Sequence, residues 1–525
     1  MANIAFSAPH HQVSQIGLDI LAKGGSAIEA MVAAAAAMSV VYPHMNGLGG
    51  DSFWLIHQPG KAPVALSGAG RSAQLASIQA YQAQGHGHIP ERGGAAALTV
   101  AGTLSGWQTA LSQSGQWQPA MSLEELLSPA QKLADAGITV SHSLQTASQL
   151  TYSSLQNTYG FAACFLNQGQ PLREGERFKN PQLANLFRRL ISVGLDDFYR
   201  GDIGQCIAQH LEAAGSPLRF ADLAKQTGQW LEPLSVTTRQ GQFYNLPLPT
   251  QGAASLIIVA LMDRCLDNRQ DEATQLHLIV EATKQAFLVR DQLICDPAFA
   301  PGDIRHWLDY EQLDKLASNI SATRALAWPK IAKPGDTVWM GCCDKQGRMV
   351  SFIQSLYWEF GSGVVIPELG LIWNNRGVSF SLDADHLHAL RPNSLPFHTL
   401  NPALAHLSDG RVMIYGTMGG EGQPQTQAAL LWRYLYQQHA LTESLSLPRW
   451  LLGRTWGDSC HDLKIEAPLA PLQQSLQGFG HQLKQVPALS ELMGHAGSIV
   501  QQQGTIIAAA SDPRSDGQAL ISHCE

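Results

Sequence analysis

The sequence predicts a mixed α/β fold, and three observations carry that prediction. Residues 337–355 read as a β-hairpin: Thr337 to Asp344 is a run of β-formers and small residues, Asp344-Lys345-Gln346-Gly347 is a turn, and Arg348 to Ser355 is the return strand. Pro402 to Gly420 reads as a second hairpin, turning at Ser408-Asp409-Gly410 and running into a helix near Gln425. From Leu126 to Thr323 the pattern is mainly helical, as at Pro181 to Val193, Asp202 to Ala214 and Leu276 to Asp291. A chain of 525 residues with 45% hydrophobic and 14% charged side chains has the material for a large core. Length alone allows about three average domains, although large α/β folds often form one unit.

In chain order, the N-terminus has neither a basic start nor an apolar run of signal-peptide length, so a cytoplasmic protein is expected. Ala30 to Tyr42 is Ala-rich and too short to span a bilayer, which suits a tightly packed internal helix. A net charge of −8, with lysines and arginines at most in pairs, gives no reason to expect nucleic acid or an anionic membrane as partner. The eight cysteines (164, 206, 265, 295, 342, 343, 460 and 524) lack C-x-x-C spacing and are expected as reduced thiols in a core, not as zinc or disulfide sites.

Val64 to Ala73 contains G-x-G-x-x-A after a strand-like run, but no acid closes a second strand about 20 residues on, so a dinucleotide cofactor is not expected. His86 and His88, and the cluster Asp383, Asp385, His386 and His388, sit in polar connecting segments without helical metal-ligand spacing. They are read as solvated loops, and no metal is expected. Trp230 to Asn245 reads as strands, and Leu246 to Gly252 as a turn into a helix over Ala253 to Met262. Arg324 to Gly335 reads as an exposed linker. Glycines at the strand-to-helix junction Gly419-Gly420 leave backbone N–H groups free to meet an anion. The chain has no Gly-Lys-Ser/Thr and no G-x-S-x-G, which removes the phosphate loop and the serine-hydrolase elbow.

Four stretches, in order and spacing, resemble the γ-glutamyltransferase family. Leu21 to Phe53 (LAKGGSAIEAMVAAAAAMSVVYPHMNGLGGDSF) is similar to its N-terminal signature. Gly102 to Trp107 with Pro129 to Gly137, then Glu281 to Pro297 (EATKQAFLVRDQLICDP), resemble its next landmarks, and Gly416 to Gly420 (GTMGG) resembles its glycine pair. The resemblance implies the four-layer αββα sandwich of the N-terminal-nucleophile hydrolases, built from two autoprocessed chains. Cleavage between Asp336 and Thr337 would leave a large chain, 1–336, and a small chain, 337–525, sharing one integrated domain.

A Thr hydroxyl is a poor nucleophile without a base, and no histidine is placed in sequence to serve Thr337. Cleavage would give Thr337 a free α-amine, with an ordinary pKa of about 7.7–8.0 and so close to working pH. The resemblance further assigns Ser355 to positioning the nucleophile, and Gly419 and Gly420 to an oxyanion hole.

Departures from the family pattern bear on substrate. Tyr357 and Trp358 stand where small polar residues are expected, which should shrink the pocket. Asn374 to Ser379 (NNRGVS) replaces N-N-Q-M-D-D, so the Asp that pairs with a substrate ammonium becomes Ser379 and the Gln becomes Arg376. Loss of a carboxylate and gain of a guanidinium should favour a substrate carboxylate. His398 and Thr399 replace a pair of serines, and Arg71 lies two residues beyond the position of the family's substrate-binding Arg, on the same face if the strand continues. The expected substrate-binding set is therefore Arg71, Tyr357, Arg376, His398 and Thr399. Together these suit a small carboxylate carrying an amide, as in the oxamate amidohydrolases, a cytoplasmic branch acting in purine breakdown. The alternatives are hydrolysis or transfer of γ-glutamyl groups with glutathione as donor, and a homologue that binds a small acid without turning it over. The partners expected are that small molecule and the protein's own second chain.

Overall fold

Alternation along the strands sets the layers of the computed structural model, which describes residues 3–328, 336–453 and 461–523. One sheet has seven strands: β1 (Ile4–Ala8), β2 (Asp51–His57), β3 (Val64–Gly68), β4 (Gln229–Leu231), β7 (Asp336–Cys343), β8 (Met349–Tyr357) and β13 (Gln518–Ser522). Their order is β13-β1-β7-β8-β2-β3-β4, with every neighbouring pair antiparallel. The second sheet has six: β5 (Leu234–Thr238), β6 (Gly241–Asn245), β9 (Ala403–Leu407), β10 (Arg411–Thr417), β11 (Ala496–Gln502) and β12 (Thr505–Ser511), in the order β12-β11-β10-β9-β6-β5.

Along β7, Val338, Met340 and Cys342 point into a core shared with helices, whereas Trp339 and Cys343 point into a core between the sheets. Phe53 and Leu55 of β2 face the inter-sheet core with Ile414 of β10 and Ile499 of β11, while Trp54 and Ile56 face the helices. This period of two is what a strand buried on both faces must show. Trp339 fills the space between the sheets because glycines make room: a Cβ at Gly416 would lie 2.1 Å from its Cδ1, and one at Gly497 2.3 Å from its Cζ3. The smallness of the residues behind Thr337 thus has its reason in that indole, which also crowds Gly341.

Outside the first sheet pack α1 (His11–Ala22), α2 (Ala27–Val41), α3 (Thr103–Trp117), α4 (Leu123–Ala136) and α5 (Pro181–Val193). Every residue of α2 is buried, and its start is fixed by a capping box between Ser26 and Glu29. Outside the second sheet pack α6 (Gly252–Cys265), α7 (Glu272–Leu293) and α8 (Gln423–Leu431). The order helix, sheet, sheet, helix is the four-layer α/β sandwich expected.

The hairpins stand where the sequence puts them, at β7–β8 and β9–β10. Within the mainly helical stretch, residues 229–245 form strands as read. Cys295, Cys342 and Cys343 are buried free thiols, but Cys164, Cys206 and Cys265 are only half-buried; Cys460 and Cys524 lie outside the described residues. Of the expected linker, residues 324–328 are described and largely exposed, with Ala325 and Leu326 tied by backbone N–H groups to Phe479 O and Glu281. Residues 329–335 lie outside the described residues. Among those described, no helix is long and apolar enough to cross a membrane.

Candidate active site

Three strands of the first sheet meet at one end. β7 begins there with Asp336 and Thr337, β2 begins there with Asp51, and β8 ends between them with Ser355 and Tyr357. Asp51 is paired directly with Ser355. The pairing of β7 with β8 is regular to Gln354 and then slips, so that Tyr357 meets Asp336, and the bulge lies opposite Thr337. Bulges of this kind re-aim side chains at the ends of sheets. Here the slip is held by Tyr357 N donating to Ser355 Oγ at 2.8 Å and by a φ of +84° at Tyr357. A bulky residue in that region stores strain that its surroundings must hold.

Thr337 is buried and shares the face of Trp339, toward the second sheet. Gln423, at the start of α8, donates its Nε2 to Thr337 Oγ1 at 3.4 Å, and its Oε1 accepts from Asn401 N at 3.3 Å. The turn before α8 carries Gly419 (φ +121°) and Gly420 (φ +53°). Among the described residues neither glycine N–H donates a hydrogen bond within the chain. Gln251, in the turn before α6, joins this turn to the facing segment: its Nε2 donates to Gly420 O at 2.9 Å and to Thr399 O at 2.8 Å.

Beside these groups lies a sealed polar box. Arg376 is 1% exposed, and its guanidinium lies 3.9 Å from the centre of the Tyr357 ring. One nitrogen, Nη1, reaches Thr399 Oγ1 at 3.5 Å, whereas Nε and Nη2 find no hydrogen-bond partner among the described residues. Burial lowers the Arg376 pKa to about 10, against the opposing pull of Tyr357 and Asp51. The backbone around it is pinned by side chains: Arg376 N donates to Asn374 Oδ1, and Ser379 Oγ to Arg376 O, both at 3.0 Å.

Asp51 and His398 complete the box. Asp51 Oδ1 accepts from Gly70 N at 3.0 Å and Gly102 N at 3.2 Å, while its Oδ2 has no hydrogen-bond partner among the described residues. That oxygen lies 3.9 Å from His398 Nε2, and among the described residues neither ring nitrogen of His398 finds a hydrogen bond. Burial raises the Asp51 carboxyl to about 7, with Arg376 and the two N–H groups acting the other way. Burial, and then the charge of Arg376, push the His398 imidazole well below its ordinary value. Orphaned buried polar atoms are rare, so a cluster of them marks a place for a ligand or water. A cavity of about 250 Å³ opens at Tyr357, lined also by Ser379, His386, Phe397, Glu421 and Arg290. A second, of about 410 Å³, reaches Met418 and Gly419.

The structure thus gathers Thr337, Ser355, Tyr357, Arg376, His398, Thr399, Gly419 and Gly420 at one end of the sandwich. It does not gather Arg71. β3 ends at Gly68, so strand alternation does not extend to residue 71; its side chain is 46% exposed, donates to Asn393 O at 3.0 Å and pairs with Asp296 at 3.6 Å. Nor does the exchange of Asp for Ser379 leave the site without a carboxylate, because Asp51 brings one from β2. His386 is exposed in a loop as expected, whereas His388 is half-buried and stacks on Phe397; both line the smaller cavity. The residues that the sequence argument missed are Asp51, Gln251 and Gln423. For Asp51 a signal existed, an acid at the mouth of an otherwise apolar strand directly after Gly49-Gly50; the two glutamines carry none.

Two other clusters hold metal-ligating residue types, Cys206/His210/Glu368 and His277/Glu281/His481. In the second, the histidines bond each other at 2.8 Å and Lys284 occupies Glu281 at 2.6 Å, so the cluster is satisfied as it stands.

The γ-glutamyltranspeptidase family profile matches residues 13–522. An oxamate amidohydrolase proenzyme of Klebsiella pneumoniae is 50% identical over 98% of this chain and 97% of its own length. A glutathione hydrolase-like proenzyme of Bacillus subtilis is 38% identical over 98% and 97%. The structure of a cephalosporin acylase from Bacillus halodurans superposes with a TM-score of 0.89, at 28% identity, over 99% of this chain and 96% of that one. Sandwich, sequence match and relatives agree: this chain is an enzyme of the γ-glutamyltranspeptidase family of N-terminal-nucleophile amidohydrolases.

Proposed function

We propose that the protein is a threonine-nucleophile amidohydrolase that matures by cutting itself between Asp336 and Thr337 and then hydrolyses the amide of a small carboxylate, with oxamate as substrate and oxalate and ammonia as products. In maturation, Thr337 Oγ attacks the carbonyl carbon of Asp336, the C–N bond breaks to release the α-amine as an ester forms, and water hydrolyses that ester to free the hydroxyl and separate the chains. In turnover that amine takes the proton from Thr337 Oγ as it attacks the amide carbon of oxamate. The N–H groups of Gly419 and Gly420 hold the oxyanion, and the ammonium form of the amine protonates the amide nitrogen, so that the C–N bond breaks and ammonia departs. Water then attacks the oxalyl ester by the same proton route. The products are chains 1–336 and 337–525, sharing one domain.

The single observation that carries the substrate reading is the sealed Arg376 guanidinium, with Nε and Nη2 unpaired above Tyr357 and Nη1 near Thr399. Such a fork matches a carboxylate. The Klebsiella relative's name points the same way. A second reading, hydrolysis of γ-glutamyl groups, draws on Asp51, whose carboxylate suits a substrate ammonium, and on the name of the Bacillus relative.

Thr337→Ala is expected to leave a single full-length band on a denaturing gel and no ammonia release, where the parent protein gives two bands and turnover. An uncut but active parent protein overturns the mechanism. Ammonia from oxamate, set against glutamate from glutathione, decides between the substrates; activity on glutathione alone overturns the favoured one.

A further inference from the structure

We infer that Asp51 is a substrate-binding residue of this site, taking up one proton from solvent as a substrate carboxylate docks on Arg376 and then donating its O–H to that carboxylate. The inference rests on the carboxylate reading of Arg376 given above.

The geometry comes first. Asp51 cannot turn away, because Gly70 and Gly102 hold its Oδ1 from two directions. Its Oδ2 is therefore fixed, buried and, among the described residues, without a hydrogen bond, in a box where Arg376 Nε and Nη2 and both nitrogens of His398 likewise find none. Asp51 and Thr337 open two strands that flank β8 on either side, so Asp51 stands about 10 Å across the sheet from the nucleophile's strand.

The charges follow. In the empty box Asp51 and Arg376 offset each other. A docked carboxylate adds a second anion where water cannot screen it, and two carboxylates sharing one buried site cannot both stay ionised. One proton must enter. The groups facing Asp51 leave it as the acceptor. Arg376 is already charged, and Tyr199 and Tyr357 hold their protons more firmly than an ordinary phenol because both are buried. His398 is kept neutral by burial and by the neighbouring guanidinium. Asp51, with burial lifting it to about 7 even beside Arg376, is poised to accept. As the neutral acid it gains a donor where the ionised form has none. When the product leaves, the proton returns to solvent.

This selects substrates by charge. A short carboxylate gains a hydrogen bond from the protonated acid. At alkaline pH the same carboxylate must displace an ionised Asp51.

The test uses the processed enzyme and oxalate, the expected product, as probe. Calorimetric titration in two buffers of different protonation enthalpy counts protons taken up. About one proton per oxalate is expected at pH 8, falling toward none at pH 6, and the Kd should weaken by up to about tenfold per pH unit above neutrality. In Asp51→Asn the amide keeps the Oδ1 contacts and cannot titrate, so uptake at pH 8 should fall by about one proton and the Kd should lose up to about tenfold of its change per pH unit. The Thr337 α-amine titrates in both enzymes, and the difference between them reports Asp51. Oxalate bound with no proton uptake, or with equal uptake in Asp51→Asn, overturns the role of Asp51 while leaving the carboxylate reading in place. If neither oxalate nor oxamate binds at pH 6, both fall.

Discussion

Arg376 was readable as a departure from a family motif, but its setting was not. Sequence spacing shows that a guanidinium replaces an amide; it does not show that Tyr357 turns through φ +84° to lie beneath it, or that two of its nitrogens are left without partners. Those facts decide the expected result of changing it. Arg376→Ala should leave cleavage at Asp336 intact and raise KM for oxamate by about 10- to 100-fold, the worth of a charge-assisted pair. Arg376→Lys should recover only part, since an ammonium cannot present the fork. Steady-state kinetics on the processed proteins checks both, and an uncut Arg376→Ala would mean that the residue serves maturation instead. Asp51 escaped the sequence argument for a physical reason: its partners in space, Arg376 and His398, stand more than 300 positions away along the chain. For Arg71 the strand itself sets the limit, since it ends at Gly68 and leaves the side chain 46% exposed.

The elements were more legible than the site. Pro181–Val193 forms where apolar spacing and the Asn180 cap require it, Gly252–Cys265 covers the expected Ala253 to Met262, and both hairpins turn at the Gly-containing segments that mark them. Local chemistry suffices for such features. What it cannot supply is the stacking of one sheet on the other, which depends on Trp339 finding Gly416 and Gly497 across the gap. The turn into α8 belongs to this scale too. Gly419 has room for a methyl group, the nearest atom being Gly494 Cα at 3.7 Å, but its φ of +121° is one that an alanine resists. Gly419→Ala should therefore fold and mature slowly or not at all, and what matures should lose about 10²–10³ in kcat as the N–H swings off the oxyanion position. Unchanged kcat in matured Gly419→Ala would remove this turn from the mechanism.

Across the whole molecule, buried histidines set the acid limit. His10, His57 and His495 are lowered to about 4, and His44 and His481 to about 3, in each case chiefly by burial. Their folded values lie below the unfolded value of about 6.5, so the unfolded chain binds the extra protons. The stability they lend is complete above about pH 6.5 and is lost as pH falls toward 4. The thermal midpoint should accordingly be level from pH 7 to 8 and drop steeply between pH 6.5 and 4.5; a level midpoint down to pH 4.5 would contradict this reading of the core. The same scale gives the strand order its consequence. In the first sheet β1 lies between β13 and β7, and β8 lies against β2; in the second, β6 lies against β9. Strands from before and after residue 336 are thus woven through both sheets, and severing the backbone at that point would be a nick in a fabric and not a parting of two bodies. Each half synthesised alone would carry bare hydrogen-bonding margins along several strands, an invitation to aggregate. Synthesis as one continuous chain completes the weave before any such nick could be made.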